Sequence, residues 1–118
     1  MPHAALPTGA RAEALAEAFL AERGLTIVTR NWRTRRGEID LIARHAGVLV
    51  FVEVRLRRNV RFGGAGASIT ATKRARIVAA ANQYLAGLAH TPPCRFDAVL
   101  LDALDVRRIE WLRDVISV

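Results

Sequence analysis

A chain of 118 residues makes a single domain with a sizeable core, and no apolar run is long enough to span a bilayer. Its only cysteine, Cys94, rules out an internal disulfide, and His3, His45 and His90 are too scattered for a zinc pattern. The net charge is +7 and Lys73 is the only lysine, a balance that favours a polyanionic partner, nucleic acid first among them. The chain is also rich in alanine, so genome composition competes as the source of the arginines. Their clustering at Arg30, Arg33, Arg35 and Arg36, and again at Arg55, Arg57, Arg58 and Arg61, argues for a binding surface.

Residues 1–8 read as a flexible tail and 9–118 as one domain. Met1 to Pro7 lacks the charged start and apolar run of a signal peptide, which together with the lone thiol predicts a cytoplasmic protein. Thr8 is placed to cap a helix running to about Arg23, with Gly24 as its stop. Ala12, Leu15, Ala16, Phe19 and Leu20 form the apolar stripe. Glu13 stands at the border of that stripe, either leaning over a sheet edge or simply solvated; Glu17 lies one step further towards solvent. Leu25 to Arg30 is β-prone and reads as a strand.

Two acidic strands follow. Glu38 and Asp40 alternate with Ile39 and Leu41; Glu53 and Arg55 alternate with Val50, Val52 and Val54. Period-two alternation puts apolar residues on one face and charge on the other. Carboxylates in such sequence need a cation, a hydrogen-bond partner or water to offset desolvation, and a divalent metal held by carboxylates points to phosphoryl chemistry. If Arg44 pairs with Leu49, the loop is His45 to Val48, Asp40 faces Glu53 and Glu38 faces Arg55. A one-residue slip would part the carboxylates. The competing view is a polar outer face with Glu38 and Arg55 as an ordinary cross-strand pair.

Arg61 to Ser68 is a glycine-bearing loop without the terminal Lys-Ser/Thr of a P-loop, though its amides could approach a phosphate. Thr70 caps a second helix to about Leu88, with Ile77, Val78, Ala81, Tyr84, Leu85 and Leu88 facing the core. Lys73 in its first turn is either a solvated lysine or a cation near the positive end of the helix. Arg95 to Asp102 gives another strand, and a short final strand or turn falls within Arg108 to Ile116. The order α-β-β-β-α-β describes an α/β fold, one mixed central sheet flanked by helices.

Gly37-Glu38-Ile39-Asp40-Leu41-Ile42-Ala43, Phe51-Val52-Glu53-Val54-Arg55-x-Arg57, Arg30-Asn31-Trp32-Arg33, Phe62-Gly63, Lys73 and Arg95-Phe96-Asp97 together resemble the PD-(D/E)xK nuclease superfamily. The resemblance is closer to the uncharacterised bacterial YraN-like family, itself similar to archaeal Holliday junction resolvases, and it spans roughly Gly9 to Ile116. It implies a restriction-endonuclease-like fold and hydrolysis of DNA phosphodiesters, branched or damaged DNA included. Glu13, Asp40 and Glu53 would hold Mg²⁺ or Mn²⁺. Arg55 takes the usual lysine place among the catalytic residues, and Ile39 stands where the superfamily name has proline. Arg33, Arg35, Arg36, Arg57, Arg58 and Lys73 are the candidate nucleic-acid contacts. Resolvases generally act as dimers, so a homodimer is open. Because arginine stays protonated, Arg55 cannot serve as a base. A nuclease fold that binds nucleic acid without cutting it is the alternative.

Overall fold

The computed structural model describes residues 8–56, 70–102 and 108–116. Helix α1 (Thr8–Glu22) is followed by strands β1 (Thr26–Arg33), β2 (Glu38–His45) and β3 (Val48–Leu56), helix α2 (Ala71–Ala86), and strands β4 (Cys94–Leu101) and β5 (Ile109–Leu112). The five strands lie in chain order in one sheet; β3 and β4 are parallel and the other neighbours antiparallel. A mixed sheet with two helices agrees with the restriction-endonuclease-like arrangement, and the final segment resolves into a strand.

Gly24, at φ +94, ends α1. Leu25 N–H bonds Leu20 O at 3.1 Å and Gly24 N–H bonds Ala21 O at 3.2 Å, the paired bonds of a Schellman cap, with Leu20 and Leu25 in one apolar cluster. The helix takes in Thr8, which the sequence reading left in the tail. At α2, the Thr70 side chain accepts from Lys73 N–H as expected of an N-cap. This helix stops at Ala86, short of the expected Leu88. Past the Gly87 cap, Leu88 leaves the helical register and is exposed instead of joining the core.

The hairpin keeps the expected pairing of Arg44 with Leu49, but His45 also pairs with Val48. Its loop is therefore two residues, Ala46 and Gly47, at φ +51 and +83. Positive φ at both centres is the type I′ geometry whose twist suits a tight hairpin. The expected four-residue loop was too long because Ala46 carries no sequence signal for that conformation.

Nor do the strands have one polar face. Leu41, Ala43, Val50 and Val52 pack with Ala12, Ala16 and Leu20 of α1. Ile42, Leu49 and Phe51 pack with Ile77, Ala80 and Ala81 of α2. A helix on each face makes these stretches of β2 and β3 apolar on both sides. Phe51 stacks on Phe96 at 5.3 Å, and the Trp32 ring meets Tyr84 edge-on at 5.2 Å.

The far end of the sheet is fixed by Asp97, whose side chain is fully buried. It accepts from Arg95 Nε at 3.0 Å, Trp111 Nε1 at 2.9 Å and Asp114 N–H at 2.9 Å. One carboxylate thus ties β4 to β5 and to the segment beyond it. Among the described residues no helix is long and apolar enough to cross a membrane. Asp97→Asn leaves the half-buried Arg95 without its counter-charge and is expected to cost about 2–4 kcal/mol in urea unfolding. Arg33→Ala, which removes only an exposed pair with Glu38, should stay within about 0.5 kcal/mol. Comparable losses would show that Asp97 does not staple the fold.

Candidate functional site

The backbone ladder between β2 and β3 ends at Leu41 opposite Val52. Beyond it, a side chain takes over: Asp40 Oδ2 accepts Val54 N–H at 2.8 Å. Near this point the alternation of β2 slips, since Ile39 joins Ile42 in the α2-side cluster while Leu41 packs against α1. Asp40 therefore stands at the end of the sheet, between the two helices.

Glu53 lies two residues beyond Phe51 on the α2-facing side of β3, and its side chain is only 10% exposed. Asp40 hydrogen-bonds Glu53 on one side and Glu13 of α1 on the other. Burial first, then the Glu53 hydrogen bond and charge, push the Asp40 carboxyl up to about 8. Burial also raises Glu13, against hydrogen bonds to Asn31 and Asp40. A protonated Asp40 removes one of the three like charges and can donate one hydrogen bond to a neighbouring carboxylate. Of the two readings open for Glu13, the contact with Asp40 fits the one that leans over the sheet edge, not the solvated border residue.

Cations complete the site. Lys73 Nζ is 2.7 Å from Glu53 Oε2, and Arg55 Nε is 3.7 Å from the same oxygen. Lys73 is thus not a solvated helix-start lysine: the Thr70 cap sets the first turn of α2 over β3. Arg55 Nε is buried with no hydrogen-bond partner. Glu38 does not pair with Arg55 as expected; it takes Arg33 at 3.3 Å, both side chains exposed. The reason is geometric, because the regular ladder has ended before these positions.

Around the acids lies a cleft of about 750 Å³ lined by Arg33, Arg35, Arg36, Asp40, Glu53, Arg55, Lys73 and Arg76. Arg57 and Arg58, and the glycine-bearing loop of Arg61 to Ser68, lie outside the described residues. Sequence reasoning missed Arg76, Thr34 and the role of Asn31. Asn31 has φ +53 and bonds Glu13; an asparagine within a β-prone run was the available signal, since asparagine tolerates left-handed backbone. Glu17, read as nearly solvated, instead holds Arg30 of β1 through two hydrogen bonds of 2.6 and 2.5 Å.

The donor set suits a hard divalent cation, being carboxylate oxygen throughout and short of positive charge at Asp40. As the side chains stand, no three His, Cys, Asp or Glu among the described residues are arranged to hold one ion. Asp40 and Glu53, with Glu13 beside them, are the residues that would do so.

Residues 12–101 match the model of the uncharacterised protein family UPF0102. The chain is 54% identical over 110 residues to a UPF0102 protein of Nitrosospira multiformis, covering 93% of this chain and 92% of that one. It is 50% identical over 122 residues to a UPF0102 protein of Ralstonia nicotianae, covering 99% and 92%. With a UPF0102 protein of Cupriavidus taiwanensis it shares 56% over 106 residues, 89% and 79% of the two chains.

Because the folded pKa of Asp40 lies above its unfolded value, its stabilising contribution is complete below the ordinary aspartate range and is lost as pH rises to about 8. Asp40→Asn keeps an acceptor for Val54 N–H and deletes the charge. Without divalent metal it is expected to stabilise the fold by about 1–3 kcal/mol at pH 8 and hardly at all at pH 4. A difference that does not vary with pH in urea titrations would rule out a buried, proton-holding Asp40.

Proposed function

The chain belongs to the UPF0102 family, and from that premise we propose that it is a metal-dependent nuclease of the PD-(D/E)xK kind, acting on DNA in the cytoplasm. The observation that carries this reading is the Asp40–Glu53 pair of acids lining an arginine-rich cleft, with Glu13 against Asp40 from the α1 side. Structural carboxylates such as Asp97 are matched by donors on every side. Asp40, by contrast, is held between two other acids, an arrangement that gains from a cation.

Bound Mg²⁺ or Mn²⁺ would supply positive charge to the phosphate oxygens and activate water. The side chains divide the remaining work. Glu53 and Asp40 would provide the metal's oxygen ligands, and Asp40 would have to give up its proton to do so. Glu13 borders the pair from α1. Lys73 and Arg55 present cations where charge develops on the phosphate; Arg55, always protonated, steadies charge and takes no proton. Arg33, Arg35, Arg36 and Arg76 draw the backbone of the nucleic acid into the cleft.

One observation favours binding without cutting. Lys73 already sits 2.7 Å from Glu53, so an internal ammonium satisfies one of the acids. In that reading the fold is a nucleic-acid-binding module whose acids are neutralised from within.

Labelled duplex, single-stranded and four-way-junction DNA incubated with Mg²⁺ or Mn²⁺ distinguishes the two. Cleavage is expected to need metal, to increase as pH approaches 8, and to fall at least about 10²-fold in Asp40→Asn and Glu53→Gln. Salt-sensitive binding with no cutting in either metal would leave the binding module.

A further inference from the structure

The turn between β1 and β2 contains a glycine that the chemistry of the acids does not require. Gly37 has no positive φ to explain it. It is needed for a close approach: a Cβ there would lie 2.3 Å from the Arg76 backbone oxygen and 2.8 Å from its carbonyl carbon. The turn is thus pressed onto the main chain of α2, and no flexible side chain is available to yield. Thr34 ties the same turn internally. Its Oγ1 accepts from Arg36 N–H at 3.0 Å and Gly37 N–H at 3.1 Å, and it donates to Gly37 O at 3.0 Å. Thr34 N–H adds a bond of 2.8 Å to Gly37 O.

Between these two anchors stand Arg35 and Arg36, both exposed and both lining the cleft that holds Asp40, Glu53 and Lys73. Neither makes an ion pair with another described residue. Arg36 also borders a second groove of about 690 Å³ on the outer side of α2, beside Arg74. A backbone held in place on both sides loses less freedom when its guanidiniums meet a polyanion.

We propose that Gly37 and Thr34 are positioning residues, which dock the turn on α2 so that Arg35 and Arg36 meet a nucleic-acid phosphate backbone at a fixed distance from Asp40 and Glu53. This rests on the nucleic-acid reading above. Substituting Gly37 acts through the arginines: it moves them away from α2 and leaves the acids in place.

The test is fluorescence anisotropy with a labelled four-way junction and a duplex in EDTA, at several salt concentrations. The proteins are wild type, Gly37→Ala, Thr34→Val, Arg35→Ala/Arg36→Ala, and Gly37→Ala added to that double variant. Gly37→Ala is expected to weaken binding about 5–10-fold and to flatten the logarithmic salt dependence by about 1–2, as the double arginine variant does. Added to the double variant it should change little. Thr34→Val should move both readouts the same way, and it decides the matter if Gly37→Ala does not fold. Equal losses from Gly37→Ala in both backgrounds, or an unchanged salt slope, would overturn the positioning role while leaving the nucleic-acid reading standing. So would loss of cleavage in metal with binding intact, which would place the effect at Asp40. A wild type without salt-dependent binding would remove the nucleic-acid reading and this inference with it.

Discussion

A single substitution of side chain for main chain, Asp40 Oδ2 in place of a β2 carbonyl as acceptor for Val54 N–H, is the constraint on which the rest depends. Where the carboxylate takes the amide, the ladder between β2 and β3 gives out and the buried donor is still satisfied. The carboxyl must then lie within the sheet's end, where burial and Glu53 keep its proton on. The crowding of acids and the opening of the cleft thus have one geometric origin.

The two helices assign the remaining roles. Helix α1 covers one face and contributes Glu13; helix α2 covers the other and brings Lys73 over Glu53. Between them the helices bury most of both faces of β2 and β3, and the acids Asp40 and Glu53 come together where the β2–β3 ladder ends. Charge at the rim is asymmetric: the acids sit on the inside and the arginines face outward. A polyanion would meet the arginines first and the acids only at close range.

Much of this was legible in the sequence where the signal is local. Gly24 and Thr70 mark helix boundaries by chemistry that is the same in any protein, and the apolar stripe of α1 follows from its spacing. The pairing of Arg44 with Leu49 followed from side-chain parity, which brought Asp40 and Glu53 together. Other features depend on what lies overhead. Phe51 and Leu49 read as alternates of a half-exposed strand until a second helix covers them. Lys73 looks solvated until the turn it occupies is placed over β3. Ala46 adopts a left-handed backbone because the twist of its hairpin demands it, and no alanine announces that. Gly37 is invisible to turn chemistry altogether, since its smallness answers to the backbone of a helix some forty residues later in the chain.

The backbone of β1 carries a last consequence. As the outermost strand it would offer a row of free amides and carbonyls to any neighbouring chain. Its register slips between Ile27 and Thr29, and Asn31 turns left-handed four residues on from Ile27. These two irregularities interrupt the straight run of donors and acceptors that an added strand must match. At the opposite margin β5 is only four residues long. The sheet is guarded at both borders against growth by edge-to-edge stacking, the usual route from a small β-rich domain to a fibril.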